Sequence, residues 1–293
     1  MDKKTLAVFT ATYNRAYIIS DLYRSLLAQT NQDFCWIVVD DGSTDDTEQL
    51  IASFIAENLI PIRYIKQENG GKQRAHNTGV EACNNELFFC VDSDDTLAPT
   101  AIEDVLTLWG GVRGRNDVAG VIAMCGRSEN DPMGTWIPAT LEFTTMWDLY
   151  YKCHHKGDVT LIYRTDILRE YPFYVEPDEK FIGETYVYHQ IDQSYTLAVL
   201  HKIIRLSEYL PDGYTKNVRR ITRENPKGYM RLKRGYIDYS DTFLLKAENT
   251  TLYLVGAYFA GCFKESLLGL SNKALGLLCA PLALILAKTE FQR

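Results

Sequence analysis

The sequence lacks the features that mark several large classes of protein. Its formal net charge is −7, so it has no basic excess with which to cover a nucleic acid backbone. Its seven cysteines are scattered without any C-x-x-C spacing, which argues against a disulfide framework or a zinc site and fits a reducing cytoplasm. No apolar run reaches the ~20 residues of a membrane-spanning helix. The apolar run near the N-terminus, only about five residues long, is too short for a signal peptide.

What the sequence does contain is an alternation of two hydrophobic periods over its first 110 residues. Apolar runs at residues 6–10, 34–39, 63–66 and 87–91 predict four strands, and the segments after them carry apolar residues at helical spacing. Ser43 followed by Asp46 resembles a capping box that begins the second helix. Because continuously apolar strands that alternate with helices are typical of a parallel sheet covered on both faces, we predict an α/β fold with a doubly wound, mostly parallel sheet.

The remainder of the chain has a mixed pattern. Strand candidates occur at residues 118–123, 159–163 and 197–204, and from about Pro211 the sequence turns helical and rich in aromatic residues. We therefore divide the chain into residues 1–110, residues 111–210 as the other half of the same domain, and a helical extension at 211–293. No G-x-G-x-x-G motif follows the first strand, which disfavours a dinucleotide oxidoreductase.

Polar clusters follow the predicted strands where each one ends. The first is Thr12-Tyr13-Asn14-Arg15, the second is Asp40-Asp41, and the third is Asp92-Ser93-Asp94-Asp95. Ligands of such sheets bind beyond the carboxyl ends of the strands. The sequence thus predicts a binding site where these clusters meet.

The acidic run suggests a metal. Asp92, Asp94 and Asp95 would repel one another and any phosphate, unless Mg²⁺ or Mn²⁺ accepts carboxylate oxygens on one side and diphosphate oxygens on the other. Two other readings remain open. The run could be an acidic loop that caps the next helix, or the D-x-D-x-T motif of a haloacid-dehalogenase-type phosphatase.

The other clusters are compatible with a nucleotide. The carboxylate of Asp41 could accept the N3–H of uracil, and Tyr13 offers an aromatic face for a base. Lys72 and Arg74 follow Gly70-Gly71 at the start of a helix, where cations and the helix N-terminus both favour a diphosphate. Each motif also has a plain reading as a turn, a packed ring or surface cations.

Taken in order, these four motifs resemble the signatures of family 2 glycosyltransferases. The resemblance covers residues 5–110 and implies a GT-A fold and transfer of a sugar with inversion of the anomeric centre. It implies that Tyr13 and Asp41 hold the base and that the acidic run holds the ribose. Together with the motifs above, it predicts that a nucleotide-sugar, UDP-linked by the uracil argument, binds the following residues: Thr12, Tyr13, Arg15, Asp41, Lys72, Arg74, Asp92, Ser93 and Asp94. It also implies a divalent metal on Asp92, Asp94 and Asp95, and assigns residues 1–110 to the donor and 111–210 to the acceptor.

The resemblance further implies a catalytic base in a Glu-Asp pair. The candidate is Glu184, and Thr185 replaces the usual second acid; Glu179 and Asp192 are less well placed. This departure keeps a non-catalytic nucleotide- or sugar-binding module open as an alternative. The expected acceptor is a hydroxyl of a saccharide or a lipid-linked saccharide.

Two apolar stretches stand out in the C-terminal region, at residues 252–263 and 274–287. They could pack on the protein's own core. Alternatively, they could lie on a membrane surface, with lysines such as Lys264, Lys273 and Lys288 meeting anionic lipid. An enzyme that extends a lipid-carried sugar needs such proximity, so we predict a cytoplasmic protein attached to the inner face of the membrane.

Overall fold

A computed structural model describes residues 4–207 and 214–291. Residues 4–172 and 187–207 form one compact unit, here called the sheet unit, and residues 173–186 and 214–291 form another, here called the helical unit. Pro211, where the sequence predicts the start of the helical extension, lies outside the described residues. The roles assigned to residues 1–110 and 111–210 stay predictions.

The sheet unit is built on one mixed sheet. Its strands are β1 (Leu6–Thr12), β2 (Phe34–Asp40), β3 (Ile62–Lys66), β4 (Leu87–Cys90), β5 (Thr96–Leu97), β6 (Val118–Ser128), β7 (Asp131–Pro132), β8 (Phe143–Thr144), β9 (Val159–Arg164) and β10 (Thr196–Leu206). Their order is β3-β2-β1-β4-β9-β6-β10-β5, with β7 beside β6 and β8 beside β10. The strands β3, β2, β1 and β4 are mutually parallel, and β6 is parallel to β10. Strand β9 runs antiparallel to both of its neighbours, β4 and β6.

The helices complete the chain. They are α1 (Ile19–Leu27), α2 (Thr47–Glu57), α3 (Lys72–Ala82), α4 (Ala101–Val112), α5 (Met146–Tyr151), α6 (Thr165–Glu170), α7 (Thr185–Ile191), α8 (Tyr214–Glu224), α9 (Pro226–Tyr239), α10 (Phe243–Phe259), α11 (Phe263–Leu268) and α12 (Lys273–Lys288). In the sheet unit, apolar residues of α1, α2 and α4 join those of β1, β2 and β4 in one core. Burial of this apolar surface is the main stabilising contribution to the unit.

Helix α3 comes unusually close to the sheet. A Cβ atom added at Gly79 would lie 2.3 Å from the ring of Phe9 on β1, so the helix can pack at this distance only because residue 79 has no side chain. This contact brings the first turn of α3 next to the ends of β1 and β2, which is the region of the predicted site.

In the helical unit, α10 and α12 share an apolar core with the segment between them. Leu254 and Val255 of α10 pack with Leu270, and with small residues of α12 such as Cys279 and Ala283. Within the described residues, no helix is both long and apolar enough to cross a membrane.

The predicted α/β fold with a C-terminal helical region is confirmed. The prediction that Ser43 caps the second helix is wrong, because α2 begins at Thr47 with Asp46 at the N-cap position. Ser43 instead accepts a hydrogen bond from the backbone N–H of Asn14 (2.9 Å), so it ties two loops together.

Candidate functional site

The strand ends converge as the sequence predicts, because the parallel register aligns them. Thr12 at the end of β1 lies beside Asp40 at the end of β2, and the N–H of Asp41 donates to the carbonyl of Thr12 (2.8 Å). On the other side of β1, the N–H of Val91 donates to the carbonyl of Phe9 (2.9 Å). The acidic run therefore leaves the sheet next to the segment that follows β1.

Asp41 organises the loop before α3. Its Oδ1 accepts hydrogen bonds from Gln67 Nε2 (2.7 Å) and the N–H of Gly70 (3.0 Å), and its Oδ2 accepts from Asn69 Nδ2 (3.1 Å) and the N–H of Gly71 (2.7 Å). A carboxylate has about four acceptor sites. In this structure the side chain of Asp41 is thus fully used in holding the loop.

The segment after β1 combines an exposed ring with a tightly held turn. Tyr13 is 48% exposed, and Asn14 adopts a left-handed conformation (φ 53°) in which its Oδ1 accepts from the N–H of Thr44 (2.8 Å). The guanidinium of Arg15 donates to the hydroxyl of Tyr17. Thr12 Oγ1 is buried and has no hydrogen-bond partner in the described part of the chain.

Lys72, the first residue of α3, lies against the acidic run. Its Nζ is 2.6 Å from Asp92 Oδ1. Burial by itself would raise the pKa of Asp92, but the charges of Lys72 and Arg205 outweigh it and hold the pKa below its usual value. Arg74, two residues further along the helix, donates through Nη1 to the carbonyl of Gly70 (2.7 Å) and so closes the loop on itself.

The other two acids of the run have different surroundings. Burial, and then the charge of Asp92, raise the pKa of Asp94. Asp95 is 4% exposed, and its Oδ2 lies 2.9 Å from Nη1 of Arg205. Nη2 of Arg205 donates to the carbonyl of Val159 (3.1 Å). Burial raises the pKa of Asp95 to about 6, although the guanidinium opposes this shift. Ser93, between Asp92 and Asp94, is buried.

These positions fit a divalent metal on two carboxylates rather than three. Among residues 4–207 and 214–291, no three acidic, histidine or cysteine side chains are placed to hold one ion together. Asp92 and Asp94 are partly exposed, whereas Asp95 is committed to Arg205. Mg²⁺ typically takes one or two carboxylates and completes its shell with phosphate and water, so two partly exposed carboxylates are compatible with such an ion, and the metal on the acidic run stays a prediction.

The three candidate bases have different environments. Glu184 is partly exposed and belongs to the helical unit, directly before α7. Glu179, also in that unit, is buried and accepts from the N–H groups of Lys227 and Gly228 (2.7 Å each). Asp192 accepts from the N–H groups of Met146 and Trp147 (3.1 and 2.8 Å). Glu179 and Asp192 therefore cap helices α9 and α5, and Glu184 is left as the candidate base.

Three residues near these sites were not predicted from the sequence. They are Arg205, which pairs with Asp95, Gln67, which donates to Asp41, and Tyr64, whose hydroxyl donates to Asp40 Oδ2 (2.6 Å). The sequence could have singled out Arg205, because it places a positive charge inside the apolar strand β10. Nothing in the local sequence indicated which acid it would meet.

Comparison with known proteins gives a consistent picture. Residues 7–172 match the model of glycosyl transferase family 2. An uncharacterized glycosyltransferase from Nostoc sp. is 32% identical over 117 residues, which are 40% of this chain and 35% of that protein. The chain thus matches about a third of the length of this curated relative.

Two solved structures share the fold. Residues 1–349 of TarS from S. aureus, crystallised with UDP-GlcNAc, match 97% of this chain and 81% of that one with a TM-score of 0.60 and 18% identity. The mannosyltransferase PcManGT from Pyrobaculum calidifontis, solved with GDP-Man and Mn²⁺, matches 99% and 82% with a TM-score of 0.58 and 14% identity.

Proposed function

Because the chain belongs to glycosyl transferase family 2, we propose that it transfers a sugar from a nucleotide-sugar to a hydroxyl of a saccharide or lipid-linked saccharide. The observation that carries this proposal is the meeting of the acidic run with Lys72 at the start of α3. A cation and two partly exposed carboxylates at one sheet edge can hold a diphosphate together with a divalent metal. The UDP-GlcNAc complex of TarS supports a UDP-linked donor.

The nucleobase of the donor is bound by the segment after β1. Tyr13 presents its exposed ring, and Thr12 Oγ1 supplies a hydrogen-bonding atom. Asp41 acts mainly by fixing the loop at residues 67–71, and recognition of uracil by its carboxylate requires one of its four hydrogen bonds to exchange. Arg15 lies on the same segment and contributes positive charge towards the phosphates.

Asp92 and Asp94 hold the metal, Mg²⁺ or Mn²⁺, and the Mn²⁺ complex of PcManGT is compatible with this. When bound, the ion neutralises charge on the leaving diphosphate. Lys72 exchanges its contact with Asp92 for the diphosphate, and the dipole of α3 adds to its attraction. Asp95 stays paired with Arg205 and supports the loop from behind.

Glu184 is the general base on the acceptor side. Its carboxylate takes the proton of the acceptor hydroxyl as the oxygen attacks the anomeric carbon. The bond from that carbon to the diphosphate breaks, and the nucleoside diphosphate leaves from the opposite face. Attack from the side opposite the leaving group inverts the anomeric centre.

The competing functions differ in what supports them. The phosphatase reading of D-x-D-x-T has no support, because the family match spans that motif as part of a glycosyltransferase. The alternative that the chain is a non-catalytic binding module rests on Thr185, which stands in place of the usual second acid. It predicts nucleotide-sugar binding without turnover.

Membrane attachment through the helical unit is the remaining part of the proposal. Leu277, Leu278, Leu282 and Ile285 of α12 are 52–68% exposed, and helical spacing puts them on the face opposite the buried Ala283 and Ala287. Lysines lie at both ends of this leucine face, and residues 266–289 contain no acid. An apolar face with a basic rim fits an anionic lipid surface.

The donor proposal is tested with a panel of UDP-, GDP- and dTDP-sugars in a thermal stabilisation assay, with Mn²⁺, Mg²⁺ or EDTA. We expect a UDP-sugar to raise the melting temperature only when metal is present, since a ligand of the native state stabilises it by mass action. Equal stabilisation with EDTA would overturn the metal assignment. Stabilisation by no member of the panel would overturn the donor assignment.

Transfer itself is tested with Glu184→Gln. We expect this variant to bind the donor normally and to release UDP at least ~100-fold more slowly, which is the usual contribution of a general base. Undiminished turnover would move the base elsewhere, and a wild type that binds donor without turnover on any acceptor would favour the binding module.

A further inference from the structure

Residues 173–186, which include Glu184, lie along helix α9 of the helical unit. The contact begins at the helix N-terminus. Glu179 is 5% exposed, and its two oxygens accept from the N–H groups of Lys227 and Gly228 (2.7 Å each). The N–H of Lys180 donates to Oδ1 of Asn225, the N-cap residue (2.9 Å). Together these bonds satisfy N–H groups at the start of α9 and fix the segment to it.

The contact continues along one stripe of α9. Gly228, Leu232 and Tyr236 are spaced four residues apart, and they meet residues 181, 183 and 185, which are spaced two apart.

Each contact on the stripe is close. A Cβ atom at Gly228 would lie 2.5 Å from the carbonyl oxygen of Phe181. A Cβ atom at Gly183 would lie 2.8 Å from Cδ2 of Leu232. The stripe ends where the hydroxyl of Tyr236 donates to Oγ1 of Thr185 (2.6 Å).

Polar contacts beside the stripe also hold residues 173–186 against α9. Arg231 pairs with Glu176 (2.9 Å) and lies over the ring of Tyr174 (3.9 Å). The ring of Tyr236 has the ammonium of Lys233 4.6 Å from its centre. Tyr236 is itself buried, so its orientation is fixed by packing as well as by its hydrogen bond.

We propose that Tyr236 is a positioning residue for the base Glu184. Its hydroxyl fixes Thr185, the residue after Glu184 and the first residue of α7, and so sets the direction of the Glu184 backbone. In this chain Thr185 stands where the resemblance to the family leads one to expect a second acid. This inference rests on the function proposed above.

The test compares Tyr236→Phe, which keeps the ring and removes the hydroxyl, with Tyr258→Phe on α10 as the matched control. UDP release from UDP-GlcNAc gives kcat and KM, and a separate titration gives the affinity for UDP. We expect Tyr236→Phe to lower kcat about tenfold with little change in KM or UDP affinity, because a small misplacement of a catalytic group is costly in rate. The control variant should match the wild type.

Variants of Thr185 form the second part of the test. Thr185→Val should lower kcat to the same extent, Thr185→Ser should restore it, and the double variant with Tyr236→Phe should be no slower than either single variant, because the two residues act through one hydrogen bond. Additive losses, or an unchanged kcat in Tyr236→Phe, would overturn the positioning role. A parallel fall in kcat and UDP affinity would show a general structural role and overturn it as well.

Failure of the proposed function can be distinguished from failure of this inference. If the wild type releases no UDP, or if Glu184→Gln releases it normally, the function or its base is wrong and the inference falls with it. If Glu184→Gln is inactive while Tyr236→Phe is unaffected, only the inference is wrong.

Discussion

Neighbouring carboxylates in the acidic run have different tasks because their partners differ. Asp92 meets Lys72 at the open side of the site, whereas Asp95 is buried against Arg205. Asp94, between them in sequence, has a pKa raised by burial and by Asp92, so a cation at this position would relieve its charge. Three residues of one type thus divide into a partly exposed pair, which we propose binds the metal, and a buried structural anchor.

This division predicts opposite results for two similar substitutions. Asp94→Asn should abolish metal-dependent UDP binding and leave the free energy of unfolding nearly unchanged. Asp95→Asn should lower the free energy of unfolding by about 3–5 kcal/mol, because Arg205 would remain buried without its partner.

Chemical denaturation and calorimetric titration of UDP with Mn²⁺ measure the two quantities. Asp33→Asn, at a residue before β2, serves as a control for charge removal in the same unit. Loss of stability in Asp94→Asn, or none in Asp95→Asn, would contradict the division.

Helix α12 has two faces that differ in the size and exposure of their side chains. Its buried face carries small residues that pack against α10, and its leucine face is exposed. Because the buried side chains are short, α12 can lie close to α10 while its long side chains point away. A helix of this kind packs stably on the protein core and still exposes apolar side chains that a membrane surface could bury.

We expect the double variant Leu278→Ser with Leu282→Ser to bind vesicles of phosphatidylglycerol and phosphatidylcholine at least ~10-fold more weakly than the wild type. Full burial of one such side chain contributes about 1.5–3 kcal/mol, so partial burial of two accounts for this factor. Leu59→Ser, at an exposed leucine of the sheet unit, is the control in a sedimentation assay. Equal vesicle binding by all three proteins would show that the leucine face does not contact lipid.

For the molecule as a whole, stability should depend on pH through Asp192. Burial raises the pKa of Asp192 to about 7, although the N–H groups of Trp147 and Met146 oppose the shift. The folded state thus binds the proton more tightly than the unfolded state does. The stabilising contribution of the protonated carboxyl is complete below pH 4 and is lost as the pH rises through 7.

We expect the wild type to lose on the order of 4 kcal/mol of unfolding free energy between pH 4 and pH 8 relative to Asp192→Asn, since the pKa of Asp192 is raised by about three units and each unit corresponds to about 1.4 kcal/mol. Urea denaturation of both proteins at several pH values measures this difference. Parallel curves for the two proteins would contradict the raised pKa.

The sequence by itself determined the α/β class, the strands β1, β2, β3 and β4, and the clustering of Tyr13, Asp41 and the acidic run. Apolar runs specify buried strands locally, and parallel strands place their ends together by topology alone. The tertiary structure decided the rest. The antiparallel insertion of β9 depends on pairing between distant segments, as do the Asp95–Arg205 pair, the four bonds of Asp41 and the contact of Tyr236 with Thr185. Their partners are separated by up to 110 residues, and no local pattern records which of many possible partners the fold will bring together.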